Sequence, residues 1–363
     1  MEKIINNAHK SKFQKLENYY PSEDLLVFDI ETTGFTAEHT ILYMIGCAYY
    51  ENHQWKICQW FNQDGQSEKN ILEQFFSFMC NYKYLITYNG DGFDIPYLSK
   101  KAAYYKLGNP FADKESIDIY KQIRFLKEHL HMENMKQKSV ERFLGIHRLD
   151  KYSGGDLIKV YQDYVKLPVK TNKQLLLQHN YEDLEGLLDA SSMLAYCRLK
   201  AGCLLVRKMS VRQNRLLFSL ELEYPLPRRI TLGINDIMIT GFQKEATINA
   251  PIYTEELKFF FDNYKEYYYL PAEDMAVHKS VASYVDKDYR EPAKKENCYL
   301  RKRGYFISQI DEGILSGYKR TYAEKESFIE LTDSFLQDLD LLHAYARHII
   351  RLARKRTRAK LIK

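Results

Sequence analysis

Apolar and polar positions divide the chain into two textures. Residues 25–30 (LLVFDI) form a near-continuous apolar run, the pattern of a buried central strand. Runs 41–50 and 54–61 read as two more strands, and the short Glu51-Asn52-His53 between them predicts a hairpin. Residues 68–80 place Ile71, Leu72, Phe75, Phe76 and Met79 at helical spacing, and 84–88 returns to strand. A helix is predicted over 95–107, with Pro96 in its first turn. A short strand at 117–119 follows, then helices near 120–130, 138–144, 156–166 and 171–201. Three strands followed by alternating helix and strand predict a mixed α/β layer fold. After Arg207 the texture shifts to short strands at 215–224 and 230–249, with turn signals at Pro225, Pro227 and Gly241. Helices are predicted at 254–263 and 273–283, a strand at 298–307 and a long helix from about 324. The expected division is a polar lead-in over 1–24, an α/β domain over 25–205 and a smaller α+β domain over 206–363 that ends in a basic helix.

Composition adds limits. The 363 residues are 45% hydrophobic and 28% charged, values that suit a globular chain with a sizeable core. No apolar run approaches the ~18 residues of a membrane span, and no secretory signal follows Met1. The six cysteines form no CxxC pair, so reduced thiols and a cytoplasmic location are expected. Net charge is +5, but residues 1–200 carry −1 and residues 201–363 carry +6. Eight basic residues and no acid lie from Arg347 to Lys363, with Arg347, Arg351, Arg354 and Arg358 near one helical face. Such an end could neutralise nucleic-acid phosphates, or form the solvated terminus of a helix whose dipole favours cations there.

The sharpest chemical feature follows the first strand: Phe28-Asp29-Ile30-Glu31-Thr32-Thr33-Gly34-Phe35. Side chains at i and i+2 of a strand share a face, so Asp29 and Glu31 project together. Paired carboxylates at a buried strand end need a positive partner, and a hard divalent cation such as Mg²⁺ or Mn²⁺ suits oxygen ligands.

FDIETTGF resembles the first motif of the DEDD (DnaQ-like) 3′–5′ exonuclease superfamily, which has the ribonuclease H-like fold. YNGDGFDIPYL (88–98) resembles its second motif, with Asp94 at the acidic position and Asn89 at the preceding polar one. QKSVERFLGIHRLDKYSGG (137–155) resembles a block of the bacterial YprB-like subgroup, and HNYED (179–183) falls at the third motif. The resemblance implies a ribonuclease H-like mixed sheet flanked by helices, and a site in which Asp29, Glu31, Asp94 and Asp183 hold two divalent ions. It further implies that Asp29 bridges the ions, that Glu31 and Asp183 serve the nucleophile side, and that Asp94 acts nearer the leaving group. His179 stands four residues before Asp183, where the two subgroups have a histidine at five or a tyrosine at four. Four-residue spacing on a helix puts both on one face, so His179 is assigned to orient or deprotonate water. Tyr181 is expected to face away, and Glu182, Glu185 and Asp189 to form a solvated helix face.

Asp118 is expected to cap the following helix or, with Asn89, to support the metal ligands; a fifth acid at the metals is the alternative. Thr32, Lys138, Arg148, Arg351, Arg354 and Arg358 are candidate nucleic-acid contacts. Thirty tyrosines include Tyr104-Tyr105 and Tyr267-Tyr268-Tyr269, which could stack on bases or pack at core edges. The expected activity is metal-dependent phosphodiester hydrolysis, a 3′–5′ exonuclease acting on a single-stranded DNA or RNA 3′ end. A structure-specific endonuclease on the same fold is one alternative. A fold that binds or scaffolds nucleic acid without catalysis is another.

Overall fold

In the computed structural model the described residues are 1–353 except 12, 14, 15 and 153. They fall into two compact units, Met1–Cys197 and Arg198 onward.

The first unit is built on β1 (Glu2–Asn7), β2 (Leu25–Thr32), β3 (Leu42–Glu51), β4 (Gln54–Phe61), β5 (Tyr84–Thr87) and β6 (Glu115–Asp118). Its helices are α1 (Glu68–Met79), α2 (Asp94–Tyr104), α3 (Ile119–Ile123), α4 (Leu126–His129), α5 (Gln137–Leu144), α6 (Gly154–Lys166) and α7 (Lys170–Ala190), and α8 (Leu194–Ala201) begins in it. The sheet order is β1-β4-β3-β2-β5-β6. The first four strands pair antiparallel, and β5 and β6 add in parallel on the other side of β2. This mixed six-stranded sheet between helices is the expected ribonuclease H-like arrangement.

Alternation along β2 sets the two layers. Leu26, Phe28 and Ile30 pack with Ile71, Leu72, Phe75, Tyr97 and Leu98 of α1 and α2. On the opposite side, Tyr43, Met44 and Phe61 pack with Leu157, Tyr161 and Leu176 of α6 and α7. Helix α7 also lies against β2 and β3. Gly46, the cross-strand partner of Asp29, permits that approach: a Cβ there would sit 1.9 Å from Asn180 Oδ1.

The lead-in expected over 1–24 contains β1, an edge strand paired with β4 from Glu2↔Phe61 to Asn7↔Lys56. Only Ile4 and Ile5 are apolar in EKIINN, so the strand carries little periodic signal and is specified by the pairing edge of β4.

The second unit contains β7 (Leu204–Arg212), β8 (Arg215–Ile234), β9 (Ile237–Phe260), β10 (Tyr267–Leu270), β11 (Met275–His278), β12 (Glu291–Pro292), β13 (Tyr299–Ser308) and β14 (Phe328–Glu330). Its helices are α9 (Lys279–Ala282), α10 (Asp333–Gln337) and α11 (Leu339–Leu352). Five strands order as β14-β13-β9-β8-β7, and three as β11-β10-β12. The 215–224 and 230–249 runs are parts of the long hairpin β8–β9. Its register shifts between Glu221 and Ile230, where Pro225 and Pro227 lack ladder donors. The helix expected at 254–263 is the end of β9, because Thr254–Phe260 pairs with β13 across the sheet. Non-local pairing overrides the helical tendency of Glu255, Glu256, Leu257 and Lys258. The helix expected at 273–283 is β11 followed by the one-turn α9. The long helix expected from about 324 begins only at Asp333, breaks at Asp338 and continues as α11. Asp338 caps α11 through Leu341 N.

Candidate metal centre

Asp29 and Glu31 leave β2 on the face turned toward α7. The β-bulge between Glu31 and Thr32 ends regular pairing at this point. Asp94 enters from the first turn of α2, where its Oδ1 accepts a hydrogen bond from Ile30 N at 3.2 Å. His179 and Asp183 lie one turn apart on α7, with Nε2 and Oδ2 3.1 Å apart. Glu31 Oε1 lies 3.8 Å from the same Nε2. One ligand atom from each of Glu31, His179 and Asp183 falls within 4.8 Å of the others, a grouping able to hold a metal ion.

The electrostatics carry the strain of this convergence. Burial, followed by repulsion from Asp183, Glu31 and Asp94, raises the Asp29 carboxyl well above its ordinary range, against a lowering hydrogen bond from Asn180. Burial pushes Glu31 up to about 7, with the His179 charge opposing and Asp183 reinforcing. Asp94 rises to about 7, again chiefly by burial. Oxygen donors that repel one another when ionised fit hard divalent cations, whose charge removes the penalty.

The Asp118 carboxylate is taken up by backbone N–H groups, while its charge adds to the rise of Asp94. Its side chain caps α3 through Lys121 N at 3.1 Å, and it accepts bonds from Asn89 N at 2.9 Å and Asp91 N at 3.3 Å. It therefore holds the second-motif loop, in which Asn89 adopts a positive φ of 65°. Thr32 Oγ1 donates to Gly34 O at 2.8 Å and closes the turn after β2.

Of the two cations expected at phosphates in this unit, Arg148 turns inward, while the Lys138 side chain stays 41% exposed. The Arg148 side chain is 7% exposed and meets Glu141 through Nε–Oε2 and Nη2–Oε1 contacts of 2.5 Å each. Its Nη1 pairs with Asp183 Oδ1. Lys138 Nζ lies 3.0 Å from Asp150 Oδ2 and donates to Tyr152 O at 2.7 Å. Arg351 lies on α11 in the second unit and meets His348 Nδ1 at 3.0 Å. Arg354 and Arg358 lie outside the described residues.

The expected solvated face of α7 is not solvated. Glu182 is buried, accepting from Asp150 N at 3.0 Å and from Gln178 Nε2 at 2.6 Å. Glu185 takes His9 N at 2.6 Å, and Asp189 is buried. Tyr181 does face away from the acids, donating to Asn7 O at 2.9 Å. The helix is covered from more than one side by β1, the sheet and the loop after α5, so acids that a single amphipathic face would leave in solvent find partners.

Asp150, Asn180 and Glu141, with no role expected from sequence, shape the site, and Phe35 stands exposed after the first motif. Asp150 accepts from His179 Nδ1 at 2.7 Å. Asn180 Nδ2 donates to Asp29 Oδ2 at 3.1 Å, while its Oδ1 takes Gln59 Nε2 at 3.0 Å. Glu141 anchors Arg148. Phe35, 89% exposed after the first motif, meets Phe93 edge-on at 5.8 Å. Phe35 lies three residues past the end of β2, where a large apolar side chain has no strand to bury it. Asp150 lies 29 residues from His179 and carries no spacing signal.

Among the tyrosine runs, Tyr104 is 75% exposed and lies edge-on to Tyr105, whose hydroxyl donates to Glu68 at 2.7 Å. Tyr267 stacks on Phe261, Tyr268 lies beneath Arg290, and Tyr269 donates to Asp274 at 2.6 Å. The second run is engaged within its own unit. Among the described residues no helix is long and apolar enough to cross a membrane.

A family model of the RNase H superfamily (RNase_H_2) matches residues 26–190, the span that contains every acid of the candidate site and His179. No curated protein matches the chain. Among solved structures, the family B DNA polymerase from the hyperthermophilic archaeon Pyrobaculum calidifontis is similar at 15% identity and a TM-score of 0.40, over 48% of this chain and 25% of the polymerase.

Proposed function

We propose that the first unit is a metal-dependent nuclease of the DEDD type, close to the YprB-like subgroup, acting as a 3′–5′ exonuclease on single-stranded DNA or RNA. The observation that carries this reading is the meeting of Asp29 and Glu31 from β2, Asp94 from α2, and His179 and Asp183 from α7, within the span matched by the RNase H superfamily model.

Asp29, Glu31, Asp94 and Asp183 would hold two divalent ions, Mg²⁺ or Mn²⁺. When bound there, such ions would supply an activated water and stabilise the departing 3′ oxygen. The remaining work belongs to the chain. His179 Nδ1 donates to Asp150, which turns Nε2 toward Glu31 and Asp183. From there His179 orients the attacking water and accepts its proton. Asn180 holds one Asp29 oxygen, and Ile30 N holds one Asp94 oxygen. Phe35, exposed after the first motif and edge-on to Phe93, would supply an apolar surface against which the terminal base of an unpaired 3′ end can rest.

The test uses end-labelled single-stranded oligonucleotides and a circular single strand, with Mg²⁺ or Mn²⁺, for the wild-type chain and Asp29→Asn. The expected result is stepwise shortening from the 3′ end that the substitution abolishes, with the circle untouched. Cleavage of the circle replaces this reading with an endonuclease. Hydrolysis unchanged by Asp29→Asn removes the site assignment, and binding without turnover by the wild type leaves a binding fold.

A further inference from the structure

We infer that Glu141, Arg148 and Asp150, with Lys138 bonded to Asp150, form a strap that positions the two catalytic groups of α7, His179 and Asp183, and that Arg148 serves this strap instead of contacting substrate phosphates. The inference rests on the metal-dependent nuclease reading of the same site.

The strap consists of α5 and the loop that follows it. At one end, Arg148 spans two acids: both nitrogens of one guanidinium edge meet Glu141, and Nη1 meets Asp183 Oδ1. Glu141 is 2% exposed and has no route to a phosphate. Gly186 makes its seat, because a Cβ there would lie 1.9 Å from Glu141 Oε1. Gln137 adds a bond to Asp183 O at 2.7 Å and another to Glu141 Oε1 at 3.0 Å. At the other end, one Asp150 oxygen receives both His179 Nδ1 and Lys138 Nζ, and the Asp150 backbone N is tied to Glu182.

The consequence is directional. Asp183 has one oxygen held by the strap and the other turned to His179 Nε2. His179 has one nitrogen held by the strap and the other turned to Asp183 and Glu31. The remaining acids repeat the pattern from other elements. Glu31 Oε2 accepts from Tyr43 at 3.2 Å while Oε1 faces His179. Asp29 Oδ2 is held by Asn180, and Asp94 Oδ1 by Ile30 N. A carboxylate held at one oxygen cannot swing, so its other oxygen is presented at a fixed point, as outer hydrogen bonds do for metal ligands in general. A phosphate drawing on Arg148 would have to part it from two carboxylates in a buried setting, where uncompensated charge is costly.

The test separates positioning from phosphate contact. In Asp150→Asn, Glu141→Gln and Arg148→Lys, Mn²⁺ affinity is measured by titration calorimetry, kcat and KM on a single-stranded oligonucleotide, and the salt dependence of oligonucleotide binding. Positioning predicts Mn²⁺ affinity and kcat each lower by roughly 10–100-fold, with KM and the salt slope unchanged. The paired replacement Glu141→Leu with Arg148→Met guards against a folding failure, since an apolar pair of similar volume can preserve stability. It leaves only Asp183 Oδ1 without its partner, so it is expected to melt above Arg148→Met alone while keeping the Mn²⁺ defect. A raised KM and a shallower salt slope with unchanged Mn²⁺ affinity would overturn the inference in favour of phosphate contact. Wild-type Mn²⁺ affinity in the paired replacement would overturn it as well. If the wild type hydrolyses no nucleic acid, the nuclease reading fails by itself, and the Mn²⁺ titrations still decide whether the strap positions the ligands.

Discussion

Glu31 and Asp94 show how single residues couple the site to solution conditions. Each carboxyl is pushed to about 7, from ordinary values of 4.5 and 3.8. A folded value above the unfolded one means the contribution to stability is full below the unfolded pKa and is lost as pH rises through about 7. Without divalent cations, the stability of Asp94→Asn relative to the wild type should therefore rise between about pH 4 and pH 7. Thermal melts in chelator at pH 5 and pH 8 measure that difference. Saturating Mn²⁺ should raise the wild-type melting temperature more at pH 8 than at pH 5, by roughly 5 °C or more at the higher pH, and should do less for Asp94→Asn. A melting temperature indifferent to Mn²⁺ at both pH values contradicts a metal centre. Phe35 makes a separate residue-scale prediction. Phe35→Ala should weaken binding of a single-stranded 3′ end by about 1–3 kcal/mol, the usual worth of one aromatic stack, and leave the unfolding midpoint in place because the ring is exposed. Fluorescence anisotropy with a 3′-labelled oligonucleotide in Ca²⁺ reads this directly.

At the scale of elements, the site depends on how closely α7 approaches the sheet. Gly46→Val should push Asn180 and Leu184 away from β3, destabilise the first unit by about 1–3 kcal/mol as overpacking does, and lower Mn²⁺ affinity by moving Asp183 from Asp29. Gly154→Ala, where a Cβ meets nothing within 4 Å, is the control, and urea titration compares them. The same closeness explains what could be read from the sequence. LLVFDI announces β2 because a strand buried on both faces is apolar throughout, and the i, i+2 rule then places Asp29 and Glu31 together. Four-residue spacing on α7 does the same for His179 and Asp183. Partners that arrive from distant segments leave no such mark. Asp150, Asn180 and Glu141 are ordinary polar residues until the loop after α5 folds over α7. Arg148 and Lys138 look like surface cations for the same reason, although carboxylates 35 and 12 residues away claim them. Strand β1 and the end of β9 were equally illegible: EKIINN lacks alternation, and TEELKFF favours a helix until β13 pairs with it.

Across the whole molecule, the charges are divided in a way that makes a prediction of its own. The acids of the candidate site belong to the half that carries −1, and a polyanionic substrate gains little general attraction from it. The +6 of residues 201–363 is concentrated toward the end, where 354–363 alone contribute six basic residues and no acid. Each phosphate neutralised on a single strand releases counterions and adds about 0.7 to the slope of log affinity against log salt. If those six residues meet the strand, ending the chain after Ala353 should flatten the slope by up to about 4, with the loss of affinity greatest at low salt. Hydrolysis at saturating oligonucleotide should hold its wild-type rate, because His179, Asp183 and the strap are untouched. Binding isotherms from 50 to 300 mM KCl, beside single-turnover rates, test both halves of the expectation. An unchanged slope would assign substrate attraction to the folded units, and a fall in the single-turnover rate would tie the basic end to the chemistry itself.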